Sequence, residues 1–134
     1  MWTCPECDRS FGRTRQGHTC SPAMSVEDYL ATAPEHERPV AEVLIAHAAA
    51  LDEAVVEPVS VGLILKRRST FAMARTMTRW VSLGVSLPRV VSDPEPDRKV
   101  QQLSTSYHHV WNVRTIDDLL PLLALIDEAY EADG

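Results

Sequence analysis

Three cysteines and one histidine open this chain in the pattern Cys4-x2-Cys7-x10-His18-x-Cys20. Thiolate sulfur and imidazole nitrogen are ligands of tetrahedral Zn²⁺, and three thiolates with one imidazole leave no open position, which marks a structural metal rather than a catalytic one. The Cys-Pro-Glu-Cys turn lets both sulfurs converge on one ion while backbone amides donate to them. Gly17 allows the tight return that the one-residue gap between His18 and Cys20 demands. Phe11, midway round the loop, is expected to pack over the site with Trp2. Residues 1–22 hold every cysteine of the chain and few aliphatic residues. Metal binding would therefore supply most of their folding free energy, on the order of 10 kcal/mol. The competing reading of Cys4-x-x-Cys7 is a redox dithiol, which expects a βαβ setting that the surrounding sequence does not show.

A second place for chemistry lies further along. Phe71, Met73 and Arg75 share one phase of a strand pattern, and Tyr107, His109 and Trp111 share one phase of another. If both sets turn toward the helices, a guanidinium and an imidazole meet at an apolar margin. Arg75, Tyr107 and His109 are then the expected seat for a carboxylate or phosphate, because arginine binds either in a bidentate way. The plainer alternative pairs Arg75 with a helix carboxylate such as Asp117 or Glu53 and leaves His109 as a cap on the core. His108 and His109 must point to opposite faces of their strand and cannot share a ligand. His47 falls on the apolar stripe of a helix, where a half-buried histidine with a hydrogen-bond partner is the common case.

The elements that must position these residues follow from periodicity. Ser25-Val26-Glu27-Asp28 reads as a capping box opening a short helix that ends before Pro34. Val40, Leu44, His47, Ala48, Leu51 and Val55 recur at helical spacing, which predicts one long amphipathic helix up to about residue 56. After Pro58 the period becomes two, and residues 59–66 read as a single strand. Two further strands are predicted over residues 70–76 and 80–87, the latter stopped by Pro88. Two prolines make residues 92–97 a loop. A short strand near residues 100–103 and a longer one over residues 107–114 follow. Thr115-Ile116-Asp117-Asp118 opens a final helix with the stripe Ile116, Leu119, Leu120, Leu123, Ile126 and Tyr130. Pro121 lies past its first turn and predicts a kink or a late start. Four to five strands with helices before and after them give an α+β domain over residues 23–134, an antiparallel sheet with its helices packed on one face.

Composition narrows the function classes. The 134 residues are 45% hydrophobic and 24% charged, enough apolar content for one core, and no stretch approaches the roughly 18 uninterrupted apolar residues of a spanning helix. No membrane association is expected. The opening residues lack the charged start and apolar run of a secretory signal, so a reducing cytoplasmic setting without disulfides is expected. The net charge of -6 argues against a dedicated nucleic-acid binder, yet the sign alternates along the chain. Residues 1–22 and 58–114 are net basic, and residues 23–57 and 115–134 net acidic. Either these blocks attract one another inside the fold, or the basic ones, with Arg9, Arg13, Arg15, Lys66, Arg67, Arg68 and Arg79, form a surface for an anionic partner.

No nucleophile elbow, phosphate loop, dinucleotide fingerprint or zinc-protease motif is present. The leading expectation is a zinc-containing binding module without enzymatic activity that presents a composite surface to a macromolecule, nucleic acid being one candidate. The alternative is a small-molecule or anion pocket, an enzyme site included, around Arg75 and His109.

The opening Trp2-x-Cys4-Pro5-x-Cys7-x-Arg9-x-Phe11, with Gln16-x-His18-x-Cys20, resembles the N-terminal zinc segment of small bacterial proteins carrying the domain of unknown function 5655. The body is similar too, through the strand near Gly62, Thr70-Phe71-Ala72, Leu87-Pro88-Arg89, His108-His109, Asp117-Asp118 and Glu128-Ala129-Tyr130. Asp8 stands where the resemblance implies a glycine. The resemblance implies a fold and a compartment, and no established activity.

Overall fold

The computed structural model describes residues 1–17 and 24–134. It is an α+β protein in which a six-stranded antiparallel sheet carries helices on one face and a small N-terminal hairpin on the other. The hairpin pairs β1 (Trp2–Thr3) with β2 (Ser10–Phe11). Then come α1 (Val26–Thr32) and α2 (Arg38–Ala49). The sheet is built from β3 (Val55–Val59), β4 (Gly62–Lys66), β5 (Thr70–Thr76), β6 (Val81–Leu87), β7 (Gln101–Gln102) and β8 (Tyr107–Val113), in the order β3-β4-β5-β6-β8-β7. The chain closes with α3 (Ile116–Leu119), a 3-10 turn (Leu120–Leu122) and α4 (Leu123–Ala132). No helix among the described residues is long and apolar enough to cross a membrane.

Local signals set several boundaries. The Ser25 side chain accepts from the Asp28 amide at 3.0 Å and starts α1. Thr115 and Asp118 satisfy each other's backbone amides in a full capping box. Pro121 turns the last helix into a 3-10 segment before α4 begins, because its ring bars the α-helical hydrogen bond there. The apolar stripe accordingly shifts. Leu119, Leu122, Leu125, Ile126, Ala129 and Tyr130 are buried, whereas Ile116 and Leu120, expected in the stripe, are exposed.

Two expectations are corrected by strand pairing. The long helix ends at Ala49 rather than near residue 56, and Val55–Val59 becomes a sheet strand. β-branched Val55 and Val56 gain more from pairing with Lys66 and Leu65 than from prolonging a helix. The single strand expected over residues 59–66 is two, reversed by a two-residue turn at Ser60-Val61. That turn lacks the Asn-Gly or Asp-Gly signal that would have announced it. Gly62 follows it because a Cβ there would run into the carbonyl of Ala74. The sheet thus has six strands, more than the four to five expected.

The sheet's two faces follow from register. Leu63, Leu65, Ala72, Ala74, Leu83, Val85, Trp111 and Val113 point inward and are packed with Val40, Leu44, Leu119, Ile126 and Tyr130 of the helices. His47 ties two helices together, its Nε2 lying 2.6 Å from Asp127 Oδ1. Opposite residues across a sheet share a face. The row Glu57, Ile64, Met73, Gly84 and Val110 therefore points outward.

Candidate functional site

The outer face divides into a half covered by the N-terminal hairpin and a half left open. The covered half is built on charge. Glu57 and Lys66, outward residues of β3 and β4, are both buried, and Lys66 Nζ lies 2.9 Å from Glu57 Oε2. Arg9 of the hairpin pairs with the other carboxylate oxygen. Lys66 also donates to the Ser10 carbonyl and stands 4.3 Å from the centre of the Phe11 ring. Burying three charges is costly unless each is paired, and here the single carboxylate serves both cations.

Above this triad, Cys4 and Cys7 are buried in a small cluster with Phe11, and Trp2 packs against it. The Trp2 and Phe11 rings lie 6.2 Å apart. The Cys4 amide donates to the Arg9 carbonyl and the Asp8 amide to the Cys4 carbonyl, each at 2.8 Å. Asp8 adopts φ 63, the left-handed conformation that glycine reaches most easily, and occupies the position where the resemblance implies one. Two buried thiols on a tight turn are a donor pair of the type that zinc takes. His18 and Cys20, the other two expected ligands, lie outside the described residues.

The open half is a groove of about 250 Å³ across β5, β6 and β8. Ser82, Gly84 and Val110 form its floor, Met73 and Arg75 one wall, and Arg98 and His108 the other. Arg98 comes from the long loop before β7, which several bonds pin to β8. The Val91 amide donates to His109 Nε2 at 2.9 Å, Trp111 Nε1 to the Pro94 carbonyl at 3.1 Å, and the Asp97 amide to the Val110 carbonyl at 2.8 Å. The Asn112 amide in turn donates to Asp97 Oδ2 at 2.7 Å. Among the described residues, no carboxylate lines the groove, and neither Arg75 nor Arg98 forms an ion pair. The His108 imidazole is held below its ordinary pKa range, first by burial against the sheet and then by neighbouring His109.

This geometry overturns the expected seat made by Arg75, Tyr107 and His109. β5 contains a bulge: Leu65 pairs with Ala72 but Lys66 with Thr70, so Phe71 is the extra residue. Phe71 and Ala72 both turn inward, and the phase reverses after them. Arg75 therefore faces outward, while His109 is fully buried on the inner face, stacked on Trp111 with ring centres 5.4 Å apart. Both His109 ring nitrogens are engaged, Nδ1 with the Tyr107 carbonyl and Nε2 with the Val91 amide. Arg75 and His109 cannot share a ligand, and Arg75 pairs with neither Asp117 nor Glu53. His108 is the histidine that joins Arg75, on the face opposite His109.

The seven-residue basic surface is corrected as well. Lys66 is buried and Arg9 is paired with Glu57. Arg67 is half-buried, 4.2 Å from the Tyr130 ring centre and 3.7 Å from Glu53. Arg13, Arg15, Arg68 and Arg79 remain exposed. Arg98, Ser82 and Gly84 were absent from the expected site. Nothing local announces them, since their convergence depends on which strands are neighbours.

The family model for the Domain of unknown function (DUF5655) matches residues 26–133. The chain belongs to the DUF5655 family. The match covers the whole sheet and its helices, and so the groove of this DUF5655 domain, and begins after the hairpin with Cys4 and Cys7. No curated protein and no solved structure matches the chain.

Proposed function

We propose that this chain is a zinc-containing binding module without enzymatic activity, whose open sheet face recognises an anionic macromolecule, nucleic acid being the partner of matching charge. The observation that carries the reading is the pair Arg75 and Arg98, two guanidinium groups that line one groove with no carboxylate in it. Several charges elsewhere in this acidic chain are answered internally, as in Arg9 with Glu57 and Arg89 with Glu128. Cations left without an internal partner are free for an external one. Arg13 and Arg15, just after the hairpin, are exposed as well. Ser82 and His108 share the groove but are not hydrogen-bonded to each other, and no carboxylate orients the histidine. That favours recognition over nucleophilic catalysis.

In this reading, Cys4, Cys7, His18 and Cys20 hold one structural Zn²⁺, which supplies the cross-link that the short hairpin needs to fold. Elemental analysis of protein purified without added metal should give near-equimolar zinc. A metal-free chain with an intact hairpin would overturn the metal assignment. For the groove, binding of inorganic polyphosphate and of a labelled single-stranded oligonucleotide should weaken steeply with salt. Charge reversal at both Arg75 and Arg98 should abolish most of it and flatten the salt dependence by roughly 1.4 in logarithmic slope. An unchanged slope would sink the anion-binding reading.

A further inference from the structure

We propose that the groove accommodates one nucleotide unit, its phosphate held by Arg75 and Arg98 and its planar base stacked on the His108 imidazole beside the Gly84 floor. The inference rests on the anion-binding reading above and deepens it by naming the ligand's chemistry.

The groove carries an aromatic ring against which a base can stack. Gly84 lies in the middle of β6, between Met73 and Val110 on the neighbouring strands. A Cβ at this position would come within 2.8 Å of His108 Cε1 and 3.2 Å of its Nε2. The Cε1–Nε2 edge of the imidazole thus leans into space that only glycine leaves empty, and the ring lines the groove together with Met73 and Val110. Each base has a π-face for such a surface, whatever its sequence identity.

The spacing of this floor from the cations suits the same ligand. Arg75 is paired with Ser82, and Gly84 lies two residues further along β6 on the same face, roughly 7 Å away by strand rise. That is about the separation between a base and its own phosphate, and the Ser82 hydroxyl stands at the Arg75 end as a donor for a phosphate or sugar oxygen. The groove, at about 250 Å³, falls below the roughly 300–1,000 Å³ of pockets that enclose drug-sized ligands, so it suits one unit of a strand or one free nucleotide.

The test uses the full zinc-loaded chain and four probes: labelled oligouridylate, uridine monophosphate as competitor, a phosphotyrosine peptide, and inorganic polyphosphate, which has the charge but no ring. Gly84→Ala, which displaces the imidazole, and His108→Ala, which removes it, should each weaken oligouridylate binding about tenfold while leaving polyphosphate binding unchanged. Gly84→Ala meets only a mobile side chain and should fold; His108→Ala creates no clash and carries the test if it does not. Competition by uridine monophosphate identifies a free nucleotide as a sufficient ligand, and its failure beside tight oligouridylate binding identifies a strand. Polyphosphate binding without oligouridylate binding overturns this inference and spares the anion-binding reading. No binding of either overturns both. Phosphotyrosine peptide binding as tight as oligouridylate, or variants that change both probes equally, overturns the base platform.

Discussion

The two halves of the sheet's outer face carry cations of the same kind and treat them in opposite ways. Under the hairpin, Arg9 and Lys66 close on Glu57 and are removed from solvent. In the open groove, Arg75 and Arg98 stand on either side of an uncharged floor with no acid between them. Both lie on one continuous row of outward residues, Glu57 to Gly84 spanning three strand spacings, roughly 14 Å. A charge that serves the fold is thus distinguished from one left for a ligand by whether a neighbouring element brings a carboxylate.

The comparison can be broken at its covered half with the largest effect. Glu57→Gln removes the carboxylate charge that Lys66 and Arg9 share and should destabilise the protein by about 3–5 kcal/mol in urea unfolding. A loss under about 1 kcal/mol would mean that the two cations are as free as those of the groove. Replacing Glu57, Lys66 and Arg9 together with apolar residues of similar volume should recover most of that loss.

Chelation of the proposed zinc comes next. It should bring the Cys4 and Asp8 amides, both hydrogen-bonded in the hairpin, to unprotected exchange while the β6 amides stay slow. If β6 loosens equally, the hairpin and the body are one cooperative unit.

A smaller effect belongs to the groove itself. The folded state holds the His108 pKa below its ordinary value of about 6.5, so as the pH falls through about 6.5 the unfolded chain takes up this proton first. Stability contributed by His108 is thus present above that pH, declines below it, and levels off once the folded imidazole is also protonated. His108→Gln should flatten the unfolding free energy across that window. A steeper dependence would show that the imidazole is not pressed against the sheet.

The least effect is expected at Arg89, whose guanidinium meets Glu128 in two hydrogen bonds of 3.0 and 2.8 Å on the exposed surface. Solvent screens such a pair, and Arg89→Gln should leave the melting temperature unchanged. A clear drop would show that exposed pairing also stabilises this fold, and would weaken the contrast between the two halves.

Much of this architecture is legible in local sequence. Ser25 and Thr115 mark helix starts through side-chain caps, Pro88 ends β6, and the alternation over Thr70–Thr76 finds β5. The opposite orientations of His108 and His109 follow from strand geometry alone. The site was less legible. Arg75 was expected beside His109 because an uninterrupted period of two was carried through Phe71, and one bulged residue is enough to invert everything after it. Arg98 sits in a loop with no periodicity, and the hydrogen bonds of neighbouring Asp97 to β8 bring it to the groove.

By itself, the sequence determined what short-range chemistry can determine: the α+β class, the caps and breakers, and a cluster of soft ligands closely spaced along the chain. These depend on residues within a turn or two of one another. Tertiary structure alone decided that Lys66 is buried against Glu57, that Arg75 looks outward, and that His108 rather than His109 shares its groove. Each of those outcomes depends on strand register and on which element covers which face, and both are set by contacts between residues far apart in the chain.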